Sequence, residues 1–281
     1  MTSDVVLVTG ASTGIGEATA VHLAERGYQV LAGVRKDADG ERLDAKHYSI
    51  TPVFLDVTSQ DQIEAAFKTV SDIVGDAGLG GLVNNAGIGR GGPLEYLEQD
   101  EWRQQFDVNV LGQVAVTRAM LPLIRKATGR IVFVGSIGGR MATPFIAPYN
   151  SSKFALAAIS DSLRGELHTF GIHVSLIEPG AVKTPIWEKS RQTADELTST
   201  LPPEAVERYG AIMQTAKKMI DLQERNGVAP VKVAEAIEQA LTSGRPKPRY
   251  LVGKDAKASA LVVRFVPQRV RDALVRRLLK I

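Results

Sequence analysis

Residues 5–20 read "VVLVTGASTGIGEATA", and the fold turns on how this stretch is understood. The run Val5 to Val8 is rich in β-branched side chains and has no polar alternation, the pattern of a strand buried on both faces. Gly10, Gly14 and Gly16 then supply a tight turn, and an alanine-containing helix is expected from about Ile15 to Arg26. The same strand-then-helix pattern recurs along the chain. Strand-like runs are "YQVLAGV" (28–34), "TPVFLDV" (51–57), "GLVNNAG" (81–87), "GRIVFVGS" (129–136), "IHVSLIEPG" (172–180) and "RYLVG" (249–253). Helical periodicity is expected over about 59–74, 100–126 and the segment carrying Tyr149 to about Thr169. Short buried strands separated by helices predict an α/β fold with a doubly wound parallel sheet (Rossmann-type), which binds ligands at the carboxyl ends of its strands.

The chain has 281 residues, 44% hydrophobic and 23% charged, without cysteine. Disulfides, thiolate catalysis and cysteine metal sites are therefore excluded. His22, His47, His168 and His173 are scattered without metal-ligand spacing, so no metal is expected. The chain opens into a strand with no signal-like start and has no run approaching the roughly 18 apolar residues of a spanning helix. A cytoplasmic protein is the expectation. The net charge of +3 is uneven: Arg245 to Lys280 hold eleven Lys or Arg against Asp255 and Asp272, a surplus of nine, so the remainder carries −6.

The glycine turn has chemical meaning. Glycines between a buried strand and a helix let a pyrophosphate approach the helix N-terminus, whose free N–H groups and dipole favour anions. The spacing is G-x-x-x-G-x-G, unlike the more familiar G-x-G-x-x-G. About twenty residues on, where an acidic side chain would hold a ribose diol, stand Val34 and Arg35. An arginine there suits a 2′-phosphate, which predicts NADP(H) in preference to NAD(H). Farther along, "YNSSK" (149–153) puts Tyr149 and Lys153 on one helical face. An ammonium about 4 Å from a phenol would favour the phenolate, lowering its pKa from about 10.

Seven pieces in order, "TGASTGIG" (9–16), "LDV" (55–57), "NNAG" (84–87), "VNV" (108–110), "VGS" (134–136), "YNSSK" and "PGAVKT" (179–184), resemble the short-chain dehydrogenase/reductase family. The resemblance covers about residues 4–184 and, more loosely, continues to 253. It implies an oxidoreductase with a catalytic quartet of Asn109, Ser136, Tyr149 and Lys153. Tyr149 is then the general acid or base, Ser136 a hydrogen-bond donor to the reacting oxygen, and Lys153 a ligand of the nicotinamide ribose. Asn109 marks a helix kink that feeds protons toward the lysine. The implied cofactor-binding set is Gly10, Ser12, Thr13, Gly14, Ile15, Gly16, Arg35, Asp56, Val57, Asn85, Ala86, Gly87, Tyr149, Lys153, Pro179, Gly180, Val182 and Thr184. Asp56 would receive the adenine amino group, with Val57 beside the ring; Asn84 or Asn85 would tie neighbouring strands together. The resemblance also implies a homo-oligomer, through helices near 100–126 and 150–169.

A catalytic domain over 1–259 is expected, with a lid at about 185–227 containing a helix from about Pro203. Trp187, Ile212, Met213, Met219 and Ile220 are its apolar candidates, adaptable enough for a ligand pocket and equally suited to burial against their own domain. With "RMATPFIAPY" (140–149) they point to a large apolar site. "FALAAISDSLRGEL" and "IEPGAVKTP" are similar to the retinol and hydroxysteroid branch of the family, which implies a hydrophobic alcohol, ketone or aldehyde as substrate. An idle NADP(H)-binding sensor is the alternative, and an epimerase or dehydratase on the same fold a weaker one.

Residues 260–281 form a basic extension. From Gln268 it reads as an amphipathic helix with Val270, Leu274, Leu278 and Ile281 on one side and Arg269, Asp272, Arg276 and Lys280 on the other. It either docks on its own or a neighbouring subunit or lies on an anionic membrane surface. No nucleic-acid recognition module accompanies the charge.

Overall fold

The computed structural model describes residues 3–279; Lys280, Ile281 and the side chain of Ile220 lie outside what is described. The elements run β1 (Val5–Val8), α1 (Gly14–Glu25), β2 (Gln29–Val34), α2 (Asp37–Asp44), β3 (Ile50–Phe54), α3 (Gln60–Val74) and β4 (Gly81–Asn84). Then follow α4 (Gln99–Phe106), a π-helical segment (Asp107–Leu111), α5 (Gly112–Ala127), β5 (Arg130–Val134), α6 (Ala147–Glu166) and β6 (His173–Pro179). The chain continues through α7 (Ile186–Thr200), α8 (Pro203–Asn226), α9 (Pro230–Thr242), β7 (Arg249–Val252), α10 (Lys254–Phe265) and α11 (Gln268–Leu279).

Seven strands form one sheet in the order β3-β2-β1-β4-β5-β6-β7, every neighbouring pair parallel. Alternation along each strand divides the core in two. Leu7, Leu31, Leu82, Ile131, Phe133 and Leu176 point to the face covered by α3, α5 and α6. Val6, Val8, Val30, Ala32, Val83 and Val132 point to the face covered by α1 and α9. Both faces are buried, which is why the strands lack polar alternation.

Local signals set the helix ends. Ser59 caps α3 by accepting from the Gln62 N–H, and proline stands in the first turn of α6, α8 and α9, where its missing N–H costs nothing. The single helix expected over 100–126 is α4 and α5 joined by the π turn. The strand order reverses between β1 and β4, so the crevice for a ligand opens at their carboxyl ends.

Candidate active site

At the switch point, buried Thr9 ties β1 to β4. Its hydroxyl donates to the Val83 carbonyl and accepts from the Asn85 and Ala86 N–H groups at 3.0 and 3.1 Å. The Asn85 side chain donates to the Thr9 and Gly10 carbonyls at 2.9 and 3.0 Å, so Asn85 is the strand tie. Asn84 instead donates to the Thr117 hydroxyl of α5. Gly10 and Gly14 have φ of +63° and +62°, and a Cβ on Gly10 would lie 2.8 Å from the Ala86 Cα. A Cβ on Gly16 would meet the Gly10 carbonyl oxygen at 2.2 Å. Alanine at these positions would displace the turn.

Thr13, the residue before α1, is extended and its side chain makes no capping bond. The first N–H groups of the helix are thus left without a side-chain acceptor, the arrangement a pyrophosphate completes. Ile15 packs into the core beneath the turn, and the Ser12 carbonyl accepts from Arg42, which also bonds Glu17 at 2.9 Å. These features fit a dinucleotide, held by the turn from Gly10 to Gly16.

At the end of β3, one Asp56 oxygen accepts from the Thr58 N–H and hydroxyl at 2.9 and 2.7 Å. The other lies 3.8 Å from the Arg35 guanidinium. Burial pushes the Asp56 pKa up, but the Thr58 bonds and Arg35 outweigh it and hold the carboxyl below its usual range. Arg35 is 68% exposed, a loosely held cation at the end of β2. Val57 is buried in the core layer of Leu55.

Ser136 follows β5, and its Oγ accepts from the Gly138 N–H at 3.0 Å. Tyr149, in the first turn of α6, flanks the same glycine: a Cβ on Gly138 would stand 3.4 Å from Ser136 Oγ and 3.5 Å from Tyr149 Cε1. One turn on, Lys153 is 5% exposed; its Nζ donates to the Val134 carbonyl at 2.9 Å and lies 5.7 Å from the centre of the Tyr149 ring. The expected lowering of the phenol by this lysine is not what the structure gives. Burial pushes the Tyr149 pKa up, the nearby Ser136 hydroxyl opposes it only in part, and burial pulls the Lys153 pKa down to about 8. The ammonium points at a backbone carbonyl rather than the phenol oxygen, and desolvation favours the neutral form of each group.

Asn109 lies in the π turn, fully buried. Its Oδ1 accepts from the Ile88 N–H at 2.8 Å, and its Nδ2 donates to the Ile88 carbonyl at 3.0 Å and to Ser152 Oγ at 3.1 Å. Ser152 Oγ in turn donates to the Tyr149 carbonyl at 2.7 Å. The Asn109 amide therefore braces the loop after β4 against the first turn of α6. Gly87 leaves room for it: a Cβ there would stand 3.4 Å from Asn109 Oδ1.

Beyond β6, the Gly180 N–H donates to the Val252 carbonyl at 2.9 Å. A Cβ on Gly180 would fall 2.0 Å from the Asp255 carboxylate, which accepts from the Ala181 N–H at 2.7 Å. The Val182 carbonyl accepts from the Trp187 indole at 2.6 Å. Thr184 reaches back to the glycine turn, where a Cβ on Gly14 would touch it at 3.2 Å. Pro179 closes β6, so the two ends of the crevice meet over Gly14.

The segment expected to form a lid folds as α7 and α8. Tyr209 of α8 packs edge-on against Tyr96 and Phe145 at ring separations of 6.2 and 6.1 Å. Phe145, four residues before Tyr149, has φ of +69°, a strained conformation for a bulky residue; its carbonyl accepts from the Gly92 N–H at 2.6 Å. Trp187, Ile212, Met213 and Met219 are half-buried.

Residues absent from the expectations complete the site. Fully buried Glu178 pairs with Arg140 at 2.6 and 2.7 Å and with Arg249 at 3.1 Å, locking the loop after Ser136 to the end of β6. A charged residue in the apolar run "VSLIEPG" was the available signal for Glu178. Thr9, Ser152 and Asp255 left no such mark.

The comparisons with known proteins agree with this geometry. The family described as short chain dehydrogenase matches residues 4–195. The chain belongs to the short-chain dehydrogenase/reductase family and is an NAD(P)(H)-dependent oxidoreductase of that family. It is 37% identical to mouse (Mus musculus) retinol dehydrogenase 5 over 277 residues, covering 96% of this chain and 87% of that protein. It is 38% identical to 17-beta-hydroxysteroid dehydrogenase type 6 of Bos taurus over 280 residues, covering 97% and 87%. Among solved structures, a short-chain dehydrogenase/reductase from Burkholderia phymatum in complex with NAD superposes with a TM-score of 0.79 at 25% identity, covering 98% of this chain and 95% of that one. A short chain dehydrogenase from Burkholderia cenocepacia J2315 in complex with NADP gives 0.74 at 27% identity, covering 98% and 97%.

Proposed function

We propose that the enzyme interconverts a hydrophobic alcohol with its ketone or aldehyde, of retinoid, steroid or lipid type, using NADP(H) in preference to NAD(H). The observation that carries the reading is that Ser136 and Tyr149 flank Gly138 at the head of α6, with the Lys153 amine 5.7 Å from the Tyr149 ring. When bound, the cofactor supplies or accepts the hydride. Tyr149 gives a proton to the substrate oxygen in reduction and takes it back in oxidation. Ser136 directs its hydroxyl to the same oxygen, stabilising the charge that grows there. Lys153 holds the nicotinamide ribose, and Asn109 keeps the first turn of α6 in register with the loop after β4. Thr184, Pro179, Gly180 and Val182 line the nicotinamide end, and Asp56 with Val57 the adenine end.

Two features support the substrate class: the aromatic cluster of Tyr96, Tyr209 and Phe145, the last four residues before Tyr149, and the similarity to a retinol and a hydroxysteroid dehydrogenase. Assembly into a homo-oligomer belongs to the same reading, because Leu111 and Phe154 leave apolar side chains exposed beside α5 and on α6.

A panel of retinoids, steroids and long-chain aldehydes, followed at the NADPH absorbance band, tests the function. Turnover of at least one class is expected; cofactor binding with turnover of none would make the chain a sensor. The cofactor preference is supported by Arg35, an exposed cation just after β2 whose contact to Asp56 is long, 3.8 Å, leaving it able to pair with a 2′-phosphate. A charge-assisted hydrogen bond contributes about 1.5–3 kcal/mol. Arg35→Ala is therefore expected to weaken NADPH by about tenfold or more and to spare NADH, measured as dissociation constants. Equal losses for both cofactors would refute the assignment.

A further inference from the structure

The last two helices present an apolar surface that the described residues leave uncovered. On α10, Leu261 and Phe265 stand one turn apart, Phe265 69% exposed. On α11, Val270, Leu274 and Leu278 form a stripe at the same spacing, Leu278 61% exposed. The helix is nevertheless anchored. α11 packs on α8, and its Leu279 is only 6% exposed. The expected amphipathic helix thus docks by its Val275 and Leu279 edge and turns the predicted apolar stripe outward. A groove of about 490 Å³ along α10 is lined by Leu251, Ala260, Leu261 and Val263 together with the cations Arg140, Lys257 and Arg264.

Charge identifies the occupant. Between Lys254 and Leu279 stand seven Lys or Arg and two Asp. Asp255 is spent on the Ala181 N–H and Asp272 on Gln268. Lys257 and Arg264 on α10 and Arg277 on α11 are exposed within one helical turn of these apolar side chains.

We infer that α10 and α11 seat the enzyme on an anionic bilayer surface, with the apolar stripes at the headgroup–acyl boundary and the arginines on lipid phosphates. A self-complementary contact with a second copy would oppose two strongly positive faces, which disfavours it. A bilayer carrying negative headgroups satisfies both the apolar and the cationic parts of the surface, each too weak alone for stable attachment. The net charge of −6 on residues outside 245–280 is repelled by the same membrane and orients the molecule tail-down. Among the described residues no helix is long and apolar enough to cross a membrane, so attachment is peripheral. The inference does not depend on the substrate class.

Sedimentation of the full chain with vesicles of phosphatidylcholine, with and without phosphatidylserine, at low and high salt, tests it. Binding is expected only with phosphatidylserine and should weaken with salt. The double variant Leu274→Asp/Leu278→Asp and, separately, Arg264→Gln/Arg277→Gln should each lower binding by about tenfold. Thermal unfolding and turnover of a water-soluble carbonyl should be unchanged in both. Equal binding to both vesicle types, or to neither, overturns the inference. So does a Leu274→Asp/Leu278→Asp protein that keeps its vesicle binding but has a smaller assembly mass in size exclusion with light scattering, since the face then joins two copies of the chain.

Discussion

Tyr149→Phe is expected to slow carbonyl reduction by about 10²–10⁴-fold, the contribution of a positioned general acid, while NADPH affinity stays close to that of the parent enzyme. The substitution keeps the ring and removes only the phenol oxygen and its hydrogen bonding. Losing one such hydrogen bond costs about 1 kcal/mol of stability, too little to unfold the domain, so the lost rate reports chemistry. Burial raises the Tyr149 pKa, which keeps the phenol protonated at neutral pH and ready to act as an acid. Reduction should therefore proceed at neutral pH without a titration of Tyr149, whereas oxidation, which needs the phenolate, should accelerate as pH rises. Steady-state rates in both directions, with cofactor binding followed by fluorescence, check the set. A phenylalanine variant that turns over normally would refute the role.

Lys153→Met is expected to move activity and stability in opposite directions. Burial lowers the Lys153 pKa from 10.5 to about 8. The folded state therefore binds fewer protons than the unfolded state between about pH 8 and 10.5, and stability rises with pH through that window. Below it, the full penalty of a buried ammonium is present, of order 3 kcal/mol at 1.36 kcal/mol per pKa unit. Methionine has a similar length and carries no charge. It forfeits the bond to the Val134 carbonyl, worth about 1.5–3 kcal/mol for a charged donor, so the net gain at pH 7 is on the order of 1 kcal/mol. Turnover should fall by about 10²-fold, because the nicotinamide ribose loses its anchor and small misplacements are costly. Urea midpoints at pH 7 and pH 10 check the stability arm: the variant should lead at pH 7 and lose its advantage at pH 10. A variant less stable than the parent at pH 7 would contradict the burial argument.

Much of this was legible in the residues. The strands were visible because both faces of the sheet are covered, which leaves continuous aliphatic runs such as Val5 to Val8 and Ile131 to Val134. The glycine turn and the Tyr149–Lys153 spacing were visible because backbone approach and helix period leave local marks. The π turn at Asp107–Leu111 was not, since one wider turn barely disturbs an apolar period. α2 is short and polar and buries only Gly40 and Leu43, which leaves almost no periodic signal. Val233, Ile237, Ala240 and Leu241 of α9 do carry helical spacing, a mark present in the sequence but absent from the expectations. The direction of the Tyr149 shift was hidden for another reason. Spacing places a lysine near a phenol, but only the packed core shows that its ammonium bonds Val134 and that burial raises the phenol. The tail was half legible: its amphipathic pattern is real, but only the packing of Leu279 tells which side faces the protein.

The most direct test is a double-mutant cycle on single-turnover reduction, using Ser136→Ala, Tyr149→Phe and the two combined. Groups that act as a unit on one oxygen are strongly non-additive. The double variant should be scarcely slower than Tyr149→Phe alone. If the two losses multiply, Ser136 and Tyr149 work on different atoms, and the two hydroxyls do not share the reacting oxygen.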